Sequence, residues 1–156
     1  MAAEMRGLAR GAWVASAIDA MLQGQGEASR LLAGAHAMTD VTGFGLGGHL
    51  LGICEASGTG AEIDLGALPV MDGAAPLQSD GINSTLFPQN AALVPGIAPE
   101  GIAAILFDPQ TAGGLLASVA ANAADDILAG LIKAGYPARI IGRMTEDAGQ
   151  IMTRGG

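Results

Sequence analysis

Residues Thr39 to Leu51, TDVTGFGLGGHLL, constrain the fold more tightly than any other stretch of the chain. An apolar approach (Ala37-Met38) reaches Asp40 and Thr42, then glycines at 43, 45, 47 and 48, then an apolar run. That order predicts a strand stopping at Asp40, a tight turn, and a helix starting near Thr42. Such a turn gathers a carboxylate and several free backbone N–H groups around one small volume. Unpaired amides at a helix N-terminus attract anions such as phosphate. A carboxylate beside them suits Mg²⁺, which is commonly shared between one or two protein carboxylates and substrate phosphates. The same residues also suit a purely architectural turn with Thr42 as its N-cap. No Gly-Lys-Ser/Thr follows the glycines, so the segment is not a P-loop, and it lacks dinucleotide-fingerprint spacing.

Composition narrows the setting. A chain of 156 residues has the size of one ordinary domain and is long enough to bury a core. Half of it is apolar and only 14% is charged, which argues for a compact fold. With three Phe, one Tyr and one Trp, the core must come from Ala, Leu, Ile, Val and Met, and base stacking has little to work with. A net charge of −8 with seven basic residues argues against a nucleic-acid groove and against an anionic membrane surface. No apolar run approaches the ~20 residues that span a bilayer. The N-terminal apolar segment is broken by Ser16 and Asp19 and reads as an amphipathic helix, not a signal peptide. A single cysteine rules out an internal disulfide and fits a reducing, cytoplasmic compartment. The abundance of glycine and alanine predicts a partner surface that completes burial, in an oligomer or a neighbouring domain.

Along the chain, helical spacing groups Trp13, Ala17, Ala20 and Met21 within 11–22, and a short helix follows at 27–34. A strand is predicted at 35–39, a helix from Gly43 or Phe44 to Ser57 with Leu46, Leu50, Ile53 and Cys54 on its apolar face, and a half-exposed strand at 61–65. Residues 66–101 hold five prolines and read as irregular, with a short helix at 73–80. Strands are predicted at 103–107, 115–119, 138–144 and 150–153. A helix capped by Asn122 carries Asp125 and Asp126 in its first turn and ends at Gly135. The sum is an α+β or α/β layered domain.

A second stretch echoes the first. Phe107-Asp108-Pro109-Gln110-Thr111-Ala112-Gly113-Gly114-Leu115 is read as another run from an apolar strand to Asp, Thr and glycines. Pro109 restricts Asp108 to extended geometry. Two such turns suggest a shared ligand edge, although an ordinary pair of loops has the same composition. His49 is expected in a hydrogen-bonded packing role and Cys54 as a small buried hydrophobe. Glu62 and Asp64 look like a solvated strand face. No zinc-type spacing and no Ser/His/Asp or Cys/His arrangement occurs.

Taken together, Met38-Thr39-Asp40-Val41-Thr42-Gly43-Phe44-Gly45-Leu46-Gly47-Gly48-His49-Leu50 and Phe107-Asp108-Pro109-Gln110-Thr111-Ala112-Gly113-Gly114-Leu115-Leu116 resemble the C-terminal domain of selenophosphate synthetases (selenide, water dikinases). These enzymes belong to the aminoimidazole-ribonucleotide synthetase-like superfamily. The likeness extends to Trp13, Ala61-Glu62-Ile63-Asp64 and Ile141-Gly142-Arg143. It departs at Ala112, where the family usually has Ser, and Asn83 to Asn90 resembles a variant subgroup.

The resemblance implies an α+β fold, a mixed β-sheet with helices packed on one face. Residues 1–10 would be a linker or N-terminal extension and 11–156 the domain. It implies formation of selenophosphate from selenide, ATP and water, with AMP and phosphate released and Mg²⁺ assisting. Asp40 maps onto a Mg²⁺ ligand. Thr39, Thr42, Gly43 and Gly45 are expected to shape the phosphate side, and Asp108, Gln110 and Thr111 to line the same cleft. The nucleophile and most of the ATP site belong to an N-terminal ATP-binding domain, so no catalytic residue is expected here. This chain alone is expected to be inactive and its parent to be a homodimer. Two other readings stay open: a non-catalytic ligand-binding or dimerisation module, and a related synthetase making a purine precursor or maturation intermediate.

Overall fold

Three helices precede the glycine turn in the computed structural model, which describes residues 1–155: α1 (Ala2–Met5), α2 (Gly11–Leu22) and α3 (Gly26–Leu31). Strand β1 (Ala37–Asp40) then ends on Asp40, and helix α4 (Gly45–Ser57) starts four residues on from Val41, close to where the glycine pattern predicts. Gly58 stops α4 in the left-handed conformation, φ 64°. The chain continues through β2 (Gly60–Asp64), α5 (Ala74–Ser79), α6 (Phe87–Leu93), a 3-10 segment (Gly101–Phe107), β3 (Leu115–Ser118), α7 (Ala124–Lys133), β4 (Gly142–Thr145) and β5 (Ile151–Arg154).

The strands form two small sheets. Strands β1 and β3 make an antiparallel ribbon with Asp40 opposite Leu115. Strand β2 is the centre of a mixed sheet, antiparallel to β4 and parallel to β5. The domain is α+β, with its mixed sheet limited to three strands.

Period two on β3 divides the interior into two cores. Leu116 faces the larger one, where Leu50 and Cys54 of α4 meet Ile63, Ile151, Leu106 and Phe107. Leu115, Ala117 and Val119 face the smaller one, built on Ala28, Leu32 and Leu131. Each fully buried large side chain contributes about 1.5–3 kcal/mol. Phe107 is wholly buried and meets Phe87 edge-on, with ring centroids 6.2 Å apart.

Several expectations are corrected. Residues 103–107 are not a strand, because they belong to the 3-10 segment. A short buried apolar run has no period that separates strand from helix, and this run contains two alanines with little β preference. The second glycine turn therefore leads from a 3-10 segment into a strand. The strand expected over 138–144 is confined to β4, and Tyr136 and Ala138 instead pack on the smaller core. Asn122 is not the cap of α7: it sits in a 3-10 turn (Ala121–Ala123), and α7 follows with no side-chain cap. Helix α2 forms as expected, but none of its residues is buried. It lies outside both cores and touches the domain through Trp13, whose ring covers Gly73. Within residues 1–10, α1 forms and buries Ala3. Among the described residues no helix is long and apolar enough to cross a membrane.

Candidate functional site

The two glycine turns are stitched into one edge. Val41 N–H donates to the Gly114 carbonyl (2.9 Å), and Gln110 N–H donates to the Thr42 carbonyl (3.0 Å), which also accepts from Gly45 N–H (3.0 Å). The β1–β3 register places the end of the first strand beside the exit of the second turn.

Glycine is required at both joints. Gly45 has φ +69°, and a Cβ there would stand 2.7 Å from the Leu106 carbonyl oxygen. A Cβ on Gly113 would collide with the Val41 carbonyl oxygen. Gly47 lets α4 lie against the Phe107 ring. Gly43 differs, since a Cβ there meets nothing within 4 Å and its φ is not left-handed. Protein packing does not demand glycine at 43, and space lies open above that peptide. Ala112, where the family usually has Ser, is the one non-glycine residue with positive φ (51°) among the described residues.

Asp40 is exposed at the rim, and its carboxylate takes no hydrogen bond among the described residues. Thr39 is half-buried beside it, with its hydroxyl donating to the Asp40 carbonyl (3.0 Å). Asp108 is half-buried; burial raises its pKa, while the chain's amino terminus and a hydrogen bond from Gln110 pull it back. Gln110 Nε2 lies 3.1 Å from the Asp108 carbonyl and 3.3 Å from its Oδ2. Thr111 is exposed. Asp40, Thr42, Gly43, Gly45, Asp108 and Gln110 thus share one edge, with Thr39 just behind it.

Three contacts of the edge were less visible in the sequence. His49 Nε2 accepts from Thr42 N–H (2.9 Å) and lies 3.1 Å from Thr42 Oγ1, which gives the expected hydrogen-bonded role of this histidine a definite partner. Asn90, only 3% exposed, donates to the Gly43 carbonyl (2.9 Å) and the Phe107 carbonyl (3.0 Å). Its adjacent amide in α6, Gln89, is exposed, and nothing local in the sequence marks which of the two is buried. Gln25 reaches in from the start of α3 to the Gly113 carbonyl.

Chemically, the edge offers one free carboxylate and a helix start without a side-chain cap. Among the described residues no group of three His, Cys, Asp or Glu side chains is arranged to hold a metal. A lone exposed carboxylate of this kind is the donor type that Mg²⁺ commonly shares with phosphate oxygens. A concavity of about 660 Å³ lies to one side: it is mostly apolar and lined by residues that include Met38, Thr39, Phe44, His49 and Leu93, without Asp40 or Asp108. Glu62, expected to be simply solvated, pairs with Arg143 (3.2 Å) and Arg154 (3.5 Å), away from the edge. Cys54 is fully buried, and burial raises its thiol pKa, as suits a packed hydrophobe.

Comparison with known proteins places the chain in a family. The chain is 40% identical over 134 residues to the selenide, water dikinase of Burkholderia pseudomallei, an alignment covering 81% of this chain and 38% of the relative. It is 43% identical over 122 residues to the selenide, water dikinase of Aeromonas salmonicida, covering 76% and 35% respectively. For that of Dechloromonas aromatica the identity is 39% over 124 residues, covering 74% and 35%. The chain thus spans little more than a third of the length of the relatives it matches. Residues 16–154 match the model of the AIR synthase related protein, C-terminal domain. The chain belongs to that family.

Proposed function

We propose that this domain supplies one wall of the Mg²⁺–ATP site of a selenide, water dikinase, which forms selenophosphate, AMP and phosphate from selenide, ATP and water. One observation carries the reading: two distant turns, both matching the family motifs, converge on an edge with a free carboxylate and an open peptide. Identity to three selenide, water dikinases supports the choice of reaction.

On this reading Asp40 holds Mg²⁺ together with phosphate oxygens and ligands from an N-terminal ATP-binding domain of the same polypeptide. When bound, Mg²⁺ neutralises phosphate charge. Thr42, Gly43 and Gly45 present the start of α4 to the phosphates, and the absence of a side chain at Gly43 leaves room for them. Asp108, Gln110 and Thr111 form the neighbouring lip. Catalytic groups lie outside the chain, which alone turns over no ATP. The complete enzyme is cytoplasmic and dimeric.

Phosphorus NMR of the complete polypeptide with ATP and selenide tests this. We expect a selenophosphate signal and AMP, both dependent on selenide and Mg²⁺. ATP consumption indifferent to selenide would contradict the reading and favour another synthetase of the superfamily.

A further inference from the structure

We infer that His49 and Asn90 are positioning residues that clamp the Thr42–Gly43 turn from opposite sides and so hold the proposed metal-and-phosphate edge in its working shape. This inference rests on the function proposed above.

The tip of the turn lacks side-chain packing. The peptide inside the turn is held through the Thr42 carbonyl by Gly45 and Gln110 N–H, but nothing packs on Gly43 within 4 Å of a Cβ position, so the peptides on either side of the Thr42–Gly43 pair need other restraint. Two side chains provide the restraint. The peptide before Thr42 is held through its N–H by His49 Nε2 (2.9 Å), and the peptide after Gly43 through its carbonyl by Asn90 Nδ2 (2.9 Å). Both ends of the flexible pair are tied.

The partners also fix the chemistry of the clamp. Thr42 N–H is a donor, so His49 Nε2 must present a lone pair and the ring proton must sit on Nδ1. Both oxygens facing Asn90 Nδ2 are carbonyls, so its NH₂ end must point at them and the amide has only one orientation. The second Asn90 bond, to the Phe107 carbonyl, ties the residue before Asp108 to the same amide. One side chain therefore joins the two turns, beside the backbone bonds from Val41 to Gly114 and from Gln110 to Thr42.

Asn90 is the only buried polar residue among the described residues, within an otherwise apolar core. Fixed amides and carboxylates bind a charged ligand better than mobile ones, because the ordering is done before binding. His49 of α4 also tilts against Phe44, the residue just before that helix, with ring centroids 5.8 Å apart. The helix whose start would face the phosphates thus carries the side chain that shapes the turn leading into it.

The test has two parts. In the complete polypeptide, selenide-dependent AMP formation is measured against Mg²⁺ concentration for His49→Leu, which removes the acceptor, and His49→Gln, whose amide oxygen restores one. Losing one such bond corresponds to about a tenfold rise in half-saturating Mg²⁺ for His49→Leu. We expect the KM for selenide to stay unchanged and Gln to recover most of the loss. Equal Mg²⁺ dependence of wild type and His49→Leu would overturn the inference, as would failure of Gln to rescue. Asp40→Asn runs alongside: if it keeps full turnover, the metal reading fails instead.

The second part needs no variant. Nitrogen NMR of the wild-type 156-residue chain is expected to show His49 protonated on Nδ1 only, and slowly exchanging Thr42 amide and Asn90 side-chain protons. A ring protonated on Nε2, or fast exchange at either group, overturns the clamp whatever the variants do.

Discussion

Two glycines in the same turn are expected to behave oppositely. At Gly45 a methyl meets the Leu106 carbonyl at 2.7 Å and forces a left-handed conformation on an L-residue. Gly45→Ala is therefore expected to destabilise the chain by about 2–4 kcal/mol in urea denaturation. At Gly43 a methyl meets nothing. Gly43→Ala is expected to leave stability within about 1 kcal/mol and to weaken Mg²⁺–ATP use by the complete polypeptide. A stable Gly45→Ala protein, or full turnover with Gly43→Ala, would separate these glycines from the roles assigned here. Asp108 carries a pH signature. Its carboxyl is raised by burial above its ordinary value of 3.8, so the folded chain holds that proton more tightly than the unfolded one. The resulting stability is full below the ordinary value and is lost as pH rises through the raised one. Asp108→Asn is expected to flatten that fall in a denaturation series from acid to neutral pH. An unchanged slope would place the titration elsewhere.

At the scale of elements, legibility followed periodicity. Helix α7 was readable because Ile127, Leu128, Leu131 and Ile132 recur on one side and Gly135 ends the pattern, although Ile132 itself remains 56% exposed. Helix α4 was readable from its punctuation, a glycine turn before and Gly58 after. Residues 103–107 were misread because a buried run of five carries no usable period, and the neighbour that decides its shape, the glycine stripe of α4, is over fifty residues away. The edge was legible in half. Both turns announced themselves through Asp, Thr and Gly, but Asn90 and the partner of His49 depend on tertiary neighbours that leave no local pattern. Cys54 gives α4 an internal reporter. Fully buried, with its thiol pKa raised by burial, it is expected to react with aromatic disulfide reagents only at the rate at which α4 opens. Labelling as fast in native as in urea-unfolded protein would contradict the packing of this helix.

At the scale of the whole molecule, the proposed function divides the chemistry between this domain and another. One free carboxylate and an open glycine peptide stand on an edge, and no group of three metal-binding side chains forms among the described residues. The chain carries a net charge of −8 with only seven basic residues, a balance that does not favour binding a polyanion such as ATP. The relatives are nearly three times as long as the part that aligns. On the proposed function the second wall of the site comes from another domain, and Asp40 is the point where the walls would meet. The most direct measurement is Mg²⁺-dependent AMP formation by the complete polypeptide carrying Asp40→Asn, with thermal unfolding followed on the same sample. Turnover is expected to fall at least about a hundredfold, the scale of a lost electrostatic contact at a reacting phosphate, with an unfolding midpoint close to wild type because the side chain is exposed. Wild-type turnover in that variant would contradict the claim that this edge holds the metal.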